Sequence, residues 1–276
     1  MVRLIKMKDI CKCDVKNKEL LALFRAKLQL WKEQLVRETD HSIHSQMELM
    51  LWDDRVFYPF YKAYEKSEKE SRNFKKKHSP SEGIPESMIN LWERCYIEKQ
   101  HMAIRRLIDK DPSRKGSFSL FVLLNDIENH KHLFTRENYV CYDGIPYDEN
   151  STSEDKVAGE IAYRHIKFDE LSAKSNHNRS RNDNITPEYF RKLKDKFGTF
   201  ERLTKVADKF IAHAASINNK HSDIRYKDIE EILKEFDKCY KNLICITKTI
   251  SVLIDEVFIP MSVPKKFRPF DGITTF

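Results

Sequence analysis

Glycine is scarce in this chain, with 6 residues among 276, against an average usage of about 7%. Folds built on tight turns and on close approach of backbone to phosphate need far more. Neither G-x-G-x-x-G nor G-x-x-x-x-G-K-[ST] occurs, which excludes a standard dinucleotide fold and a P-loop. An all-β sandwich or barrel would require many more turn signals than 6 Gly and 9 Pro supply. Long apolar runs are missing too. The uncharged apolar stretch 118–124 falls well short of the ~20 residues that cross a bilayer. The first residues alternate apolar and charged side chains without a secretory core, so a cytoplasmic location without membrane contact is expected. Six cysteines (11, 13, 95, 141, 239, 245) form no disulfide framework, and Cys11-Lys-Cys13 has no second pair. No metal and no cofactor is expected.

What is present is helical periodicity. With 40% hydrophobic residues the chain can bury a core of its own, and the fold expected is all-α, an antiparallel bundle of long helices. Leu20, Phe24, Leu28, Trp31 and Leu35 recur at helical steps over 17–39. A second helical stretch covers 42–70, and Pro59 should restart or kink it. Residues 66–85 turn polar, with Lys75-Lys-Lys77 and Pro80, and read as a linker. Three spans follow: an N-terminal helical segment 1–85, a helical bundle 86–258, and an extended tail 259–276 carrying Pro260, Pro264 and Pro269. The N-terminal helices either extend the bundle or form a dimer arm.

Within the bundle, helices are predicted over 86–109, from Ser117 or Ser119 to 134, over 154–175, from Thr186-Pro-Glu188 to Gly198, from Thr199 to 216, and over 227–258. Residues 139–155 read as irregular. Residues 175–184 (Ser-Asn-His-Asn-Arg-Ser-Arg-Asn-Asp-Asn) look too polar to pack and read as an exposed loop. Arg179 and Arg181 in that loop, with Lys174, are candidate flexible phosphate contacts. No repeat of fixed period is present, which excludes a solenoid.

Chemistry is most concentrated at Val206-Ala-Asp-Lys-Phe-Ile-Ala-His213. Lys209 and His213 form an i, i+4 pair, and the small residues at 207, 212, 214 and 215 admit a close helix neighbour. A histidine at such a seam serves as general acid or base near neutral pH, or contacts a phosphate. The plainer reading is a histidine satisfied by a helix C-terminus and solvent.

Ala207-Asp-Lys-Phe-Ile-Ala-His213, followed by Tyr226-Lys-Asp-Ile at the opening of a long helix, resembles the C-terminal half of a HEPN domain. It is most similar to the AbiU-type branch associated with bacterial abortive infection. Upstream, Arg105-Arg-Leu-Ile-Asp109 resembles the branch's R-L-x-D helix end, and Ser117-Phe-Ser-Leu the helix start after it. The resemblance covers about 88–125 and 187–258. It implies a defence or toxin–antitoxin protein, homodimeric, with RNA as partner or substrate and an antitoxin protein as a further partner. It also implies metal-independent RNA cleavage through an R-x₄₋₆-H element. His213 matches the histidine and Lys209 the branch's lysine, as the catalytic candidates. The arginine is not matched: the positions that would hold it are Val206, Ala207 and Asp208. Lys205, about two helical turns or ~12 Å before His213, and Arg202 remain as nucleic-acid-binding candidates, together with Arg106. Asp109 is the expected structural partner of Arg106. Enzyme status stays open between this reading and a non-catalytic helical dimerisation or scaffold module. The net charge of +7 permits RNA binding without requiring it.

Two further histidine groups stand out. His41-Ser-Ile-His44 has i, i+3 spacing but no third ligand fixed by sequence. His130-Lys-His132 lies at a predicted helix end, where cations suit the dipole.

Overall fold

The computed structural model describes residues 15–36, 42–75, 86–111, 118–148, 156–201, 203, 205 and 226–256. Its regular elements are helices: α1 (Lys18–Val36), α2 (Ile43–Lys75), α3 (Glu86–Ile108), α4 (Leu120–Asn129), α5 (Arg136–Cys141), α6 (Lys156–Ser172), α7 (Pro187–Asp195) and α8 (Tyr226–Leu253). Short 3₁₀ turns follow α4, α6 and α7, and residues 199–201, 203 and 205 are helical. Among the described residues no strand forms; Thr135 and Asn184 make one isolated bridge. The protein is all-α, as the periodicity predicts.

The helices form where apolar residues recur at three- and four-residue steps. On α1 the buried stripe is Leu21, Phe24, Leu28, Trp31 and Leu35. Trp31 stacks on Phe134 with centroids 5.3 Å apart and donates its indole N–H to Asp126 Oδ2 at 2.7 Å, so its one polar atom is satisfied in the core. Helices α2 and α3 run antiparallel. Gln100 Nε2 donates to the Met50 carbonyl at 3.0 Å, Tyr96 Oη to Asp54 Oδ1 at 2.6 Å, and Phe60 meets the Trp92 ring edge at 4.1 Å. Helix α8 passes through the centre, where Phe236, Tyr240, Leu243, Ile246 and Ile250 are buried. It meets α2 where Thr247 Oγ1 lies 3.0 Å from Met47 Sδ.

One hydrophobic cluster contains residues of all eight helices, from Phe24 to Ile254. The N-terminal helices extend the bundle: Trp31, Met47 and Tyr61 are as deeply buried in it as Phe236. Helix α2 continues to Lys75 and passes through Pro59 as one 33-residue element. The polar composition after Lys66 therefore does not end the helix. Residues 76–85 and the tail from 257, on which the linker and extended-tail expectations fall, lie outside the described residues.

Helix ends show how a glycine-poor chain turns. Ser119 caps α4 by accepting from Val122 N at 3.1 Å. Thr186 and Pro187 open α7 as predicted, but the Thr186 side chain makes no cap bond. Thr186 N instead donates to the Leu171 carbonyl at 3.0 Å. Helices α6 and α8 both close around a left-handed residue, with Lys174 N returning to the Asp169 carbonyl at 3.2 Å at the first. These residues are Ala173 (φ 52°) and Asp255 (φ 48°), positions that usually carry glycine. At the second, Asp255 N donates to Val252 O and Glu256 N to Ser251 O, at 3.2 and 2.8 Å. Asp255 earns its place through its side chain: it pairs with Lys167 at 3.1 Å and accepts from the Tyr142 hydroxyl.

Candidate functional site

Of the residues singled out by the HEPN resemblance, Arg105, Arg106, Asp109 and Ser119 lie where α3 ends and α4 begins. Arg105 and Arg106 occupy the last turn of α3, where cations complement the helix dipole. The chain turns at Asp109: its carbonyl accepts from Ser119 Oγ at 2.7 Å and its carboxylate from Asp111 N at 3.1 Å. Ser119 thus ties the end of α3 to the first turn of α4, and Asp109 holds that junction with its backbone. Beside it, Lys110 Nζ lies 5.3 Å from the centroid of the Phe121 ring, and Phe121 packs edge-on against Phe197 at 5.2 Å. This aromatic contact brings the helical residues 199–201 to the same end of the bundle. Asn242 on α8 secures their start, donating to Thr199 Oγ1 at 2.9 Å.

At this end Arg106 and Lys205 are exposed and Asp109 is half-buried. An anion there would be met by long side chains on helices. His213, Lys209 and Arg202 lie outside the described residues, as do Cys11, Cys13 and His41. His44 sits 3.5 Å from Glu48 on its own helix, and His130 turns back to the Asp126 carbonyl at 2.8 Å, capping α4 as its position predicts. Among the described residues no group of three His, Cys, Asp or Glu side chains is arranged to hold a metal, and no helix is long and apolar enough to cross a membrane.

The densest polar arrangement lies elsewhere, and the sequence did not announce it. Helix α5, whose last three residues fall in the stretch 139–155 expected to be irregular, is six residues long and buried throughout. Arg136, at 0% exposure, binds Asp183 Oδ2 at 3.0 Å, Asp169 Oδ1 at 2.8 Å, Ser172 Oγ at 3.2 Å and the His165 carbonyl at 3.2 Å. Asp169 also takes Arg179 at 2.7 Å, and Glu137 takes Arg181 at 2.9 Å. The loop 175–184 is thus anchored at Arg179, Arg181 and Asp183, while its other residues are exposed, as the composition predicts. Its carbonyls at Asp183 and Arg181 accept the N–H groups of Arg136 and Glu137 at 2.9 and 3.1 Å. Those donors have no partner within the helix itself. Arg179 and Arg181 are thus engaged with carboxylates, which corrects their reading as free phosphate contacts.

Electrostatics follow from this burial. Desolvation opposes ionisation of Asp169, but hydrogen bonds from Arg179 and Arg136 outweigh it and hold the carboxyl below its ordinary range. His165, also at 0% exposure, is pushed down to about 4 by desolvation, with Arg179 and Arg136 adding to the effect. Its Nε2 faces the Asp148 carbonyl at 3.1 Å, so the proton sits there. Nδ1 is left buried without a hydrogen-bond partner among the described residues. Between α2, α3 and α8, Tyr96 and Tyr240 place their hydroxyls 3.3 Å apart, and Tyr240 donates to Gln100 Oε1 at 2.9 Å. Burial raises the Asp54 carboxyl there, against the lowering effect of the Tyr96 bond.

Comparison with family models, with curated proteins and with solved structures finds no significant match to this chain.

Proposed function

We propose a HEPN-like helical protein of bacterial defence, of the abortive-infection or toxin–antitoxin type, that acts on RNA as a homodimer with His213 at its centre. The carrying observation is the order and spacing of three sequence elements: Arg106-Leu-Ile-Asp109, Ala207-Asp-Lys-Phe-Ile-Ala-His213, and Tyr226-Lys-Asp-Ile. Helix boundaries support it. Helix α3 ends at Ile108, α4 starts after Ser119, and α8 opens at Tyr226. In this reading neutral His213 takes the proton from a ribose 2′-hydroxyl as that oxygen attacks the adjacent phosphorus. The bond to the 5′-oxygen breaks, and that oxygen takes a proton from water, giving a 2′,3′-cyclic phosphate and a 5′-hydroxyl. Lys209 or Lys205 offsets the phosphate charge, with Arg202 and Arg106 along the RNA path.

The occupants of the arginine positions, Val206, Ala207 and Asp208, favour a second reading: a helical dimerisation or scaffold module that has lost the chemistry. Ammonium groups lack the planar fork with which guanidinium grips phosphate, and Asp208 repels it.

One experiment separates the two. Purified protein is incubated with RNA in the presence of EDTA, and the ends of any products are mapped. The nuclease reading expects cleavage that survives the chelator, leaves cyclic phosphate ends and falls by about 100-fold or more in His213→Ala. It also expects faster cleavage in Asp208→Arg, which restores R-x₄-H. No cleavage by either protein leaves the scaffold reading.

A further inference from the structure

Helices α2 and α3 cover the core with one side and leave a second apolar side open. Leu49, Trp52 and Val56 follow one another at helical steps on α2, and on α3 the steps run Met88, Trp92, Cys95, Lys99 and Met102, all exposed. Each of the six large hydrophobic side chains is 47–58% exposed. The two rows lie on the same side of the helix pair. Asp53, between Leu49 and Val56, bonds Lys99, between Trp92 and Met102, at 2.7 Å, and Phe60 touches Trp92 across the seam.

Six such side chains, half exposed, present on the order of 600 Å² of apolar surface, at the upper limit of what a monomer ordinarily leaves bare. With the aliphatic stem of Lys99 and the rim added, the area approaches the roughly 800 Å² per partner of a stable protein–protein interface. Two tryptophans and two methionines match the side chains enriched in interface cores.

Charge decides the occupant. RNA needs a row of uncompensated cations, and an anionic membrane needs a Lys- and Arg-rich face. Here the charges within the face, Asp53 and Lys99, are of opposite sign and adjacent. A two-fold axis through such a pair sets each carboxylate against the ammonium of the other copy. The face is complementary to itself.

We propose that the α2–α3 face is where a second copy of this chain packs, two helices against two. It supplies the interface for the homodimer reading and rests on that reading for stoichiometry alone; RNA cleavage at His213 stands or falls separately.

The test is the mass of the full-length protein by sedimentation equilibrium at micromolar concentration. The wild type is expected at twice 32.9 kDa, with Trp52→Glu and Met102→Glu both at 32.9 kDa, their helical circular dichroism and melting unchanged. Hydrogen exchange supplies a mutation-free arm: amides of 49–56 and 88–102 should exchange faster as the wild type is diluted. A wild type that is monomeric overturns the proposal. So does a dimer that survives both substitutions with no concentration-dependent exchange on α2 and α3, which places the interface elsewhere. A monomer that pellets with phosphatidylserine-containing vesicles overturns it in favour of membrane docking.

Discussion

Arg136 Nε lies 3.0 Å from Asp183 Oδ2, joining the first residue of a buried helix to a loop 47 positions later in the chain. The pair closes the polar segment 175–184 over α5 and α6. Asp183→Ala leaves a buried guanidinium short of one carboxylate, and such losses cost about 3–5 kcal/mol. Urea unfolding should report that decrease, and limited proteolysis should cut within 175–184 in the variant but not in the wild type.

His165 makes stability depend on pH. Its folded pKa, about 4, lies below the ordinary 6.5, so the unfolded chain takes up a proton first as pH falls. Stability is full above pH 6.5 and declines toward pH 4, by roughly 3 kcal/mol over that interval. In His165→Gln this part of the pH dependence should disappear, as measured by thermal melts between pH 7 and pH 4.

Asp54 has the opposite sign. Its raised folded pKa means that folding favours the protonated form. Its contribution is greatest below the ordinary carboxyl value and is lost as pH rises through the raised one. Asp54→Asn keeps an acceptor for the Tyr96 hydroxyl without the buried charge. The variant should melt higher than the wild type at pH 7 and level with it at pH 3.

Ala173 closes α6 with φ 52° on an exposed position. A left-handed conformation costs an L-residue about 1–2 kcal/mol, and glycine's freedom in the unfolded chain returns part of that. Ala173→Gly should therefore stabilise the protein by about 0.5–1 kcal/mol in denaturant melts. Asp255→Gly, at the matching position of α8, should not, because it forfeits the contacts to Lys167 and Tyr142.

The long helices were legible because each carries its own periodic stripe: Phe24, Leu28, Trp31 and Leu35 on α1, or Phe236, Tyr240, Leu243 and Ile246 on α8. Caps were legible where a hydroxyl stands one residue before the helix, as at Ser119. Helix α5 was not. It has six residues, all buried, including Arg136, Glu137 and Asn138, so no amphipathic pattern marks it. Its charges are acceptable in the core only because Asp169, Asp183 and Arg181 arrive from distant segments, and pairing over such separations leaves no local trace. The polar loop 175–184 divides: most of its residues are exposed, as composition predicts, while Arg179, Arg181 and Asp183 are held by partners outside the loop. Of the candidate site, the junction at Asp109 and Ser119 followed from residue order, while Lys110 over Phe121 emerged only from packing.

The three tryptophans divide unevenly between core and surface. Trp31 is sealed against Phe134, whereas Trp52 and Trp92 stand on the open side of α2 and α3. With that side uncovered, intrinsic fluorescence is therefore a mixture of a blue-emitting indole that iodide does not reach and two red-emitting indoles that it quenches. Anything that settles on α2 and α3 dims the second population and spares the first. The protein carries its own optical gauge of whether that side is covered.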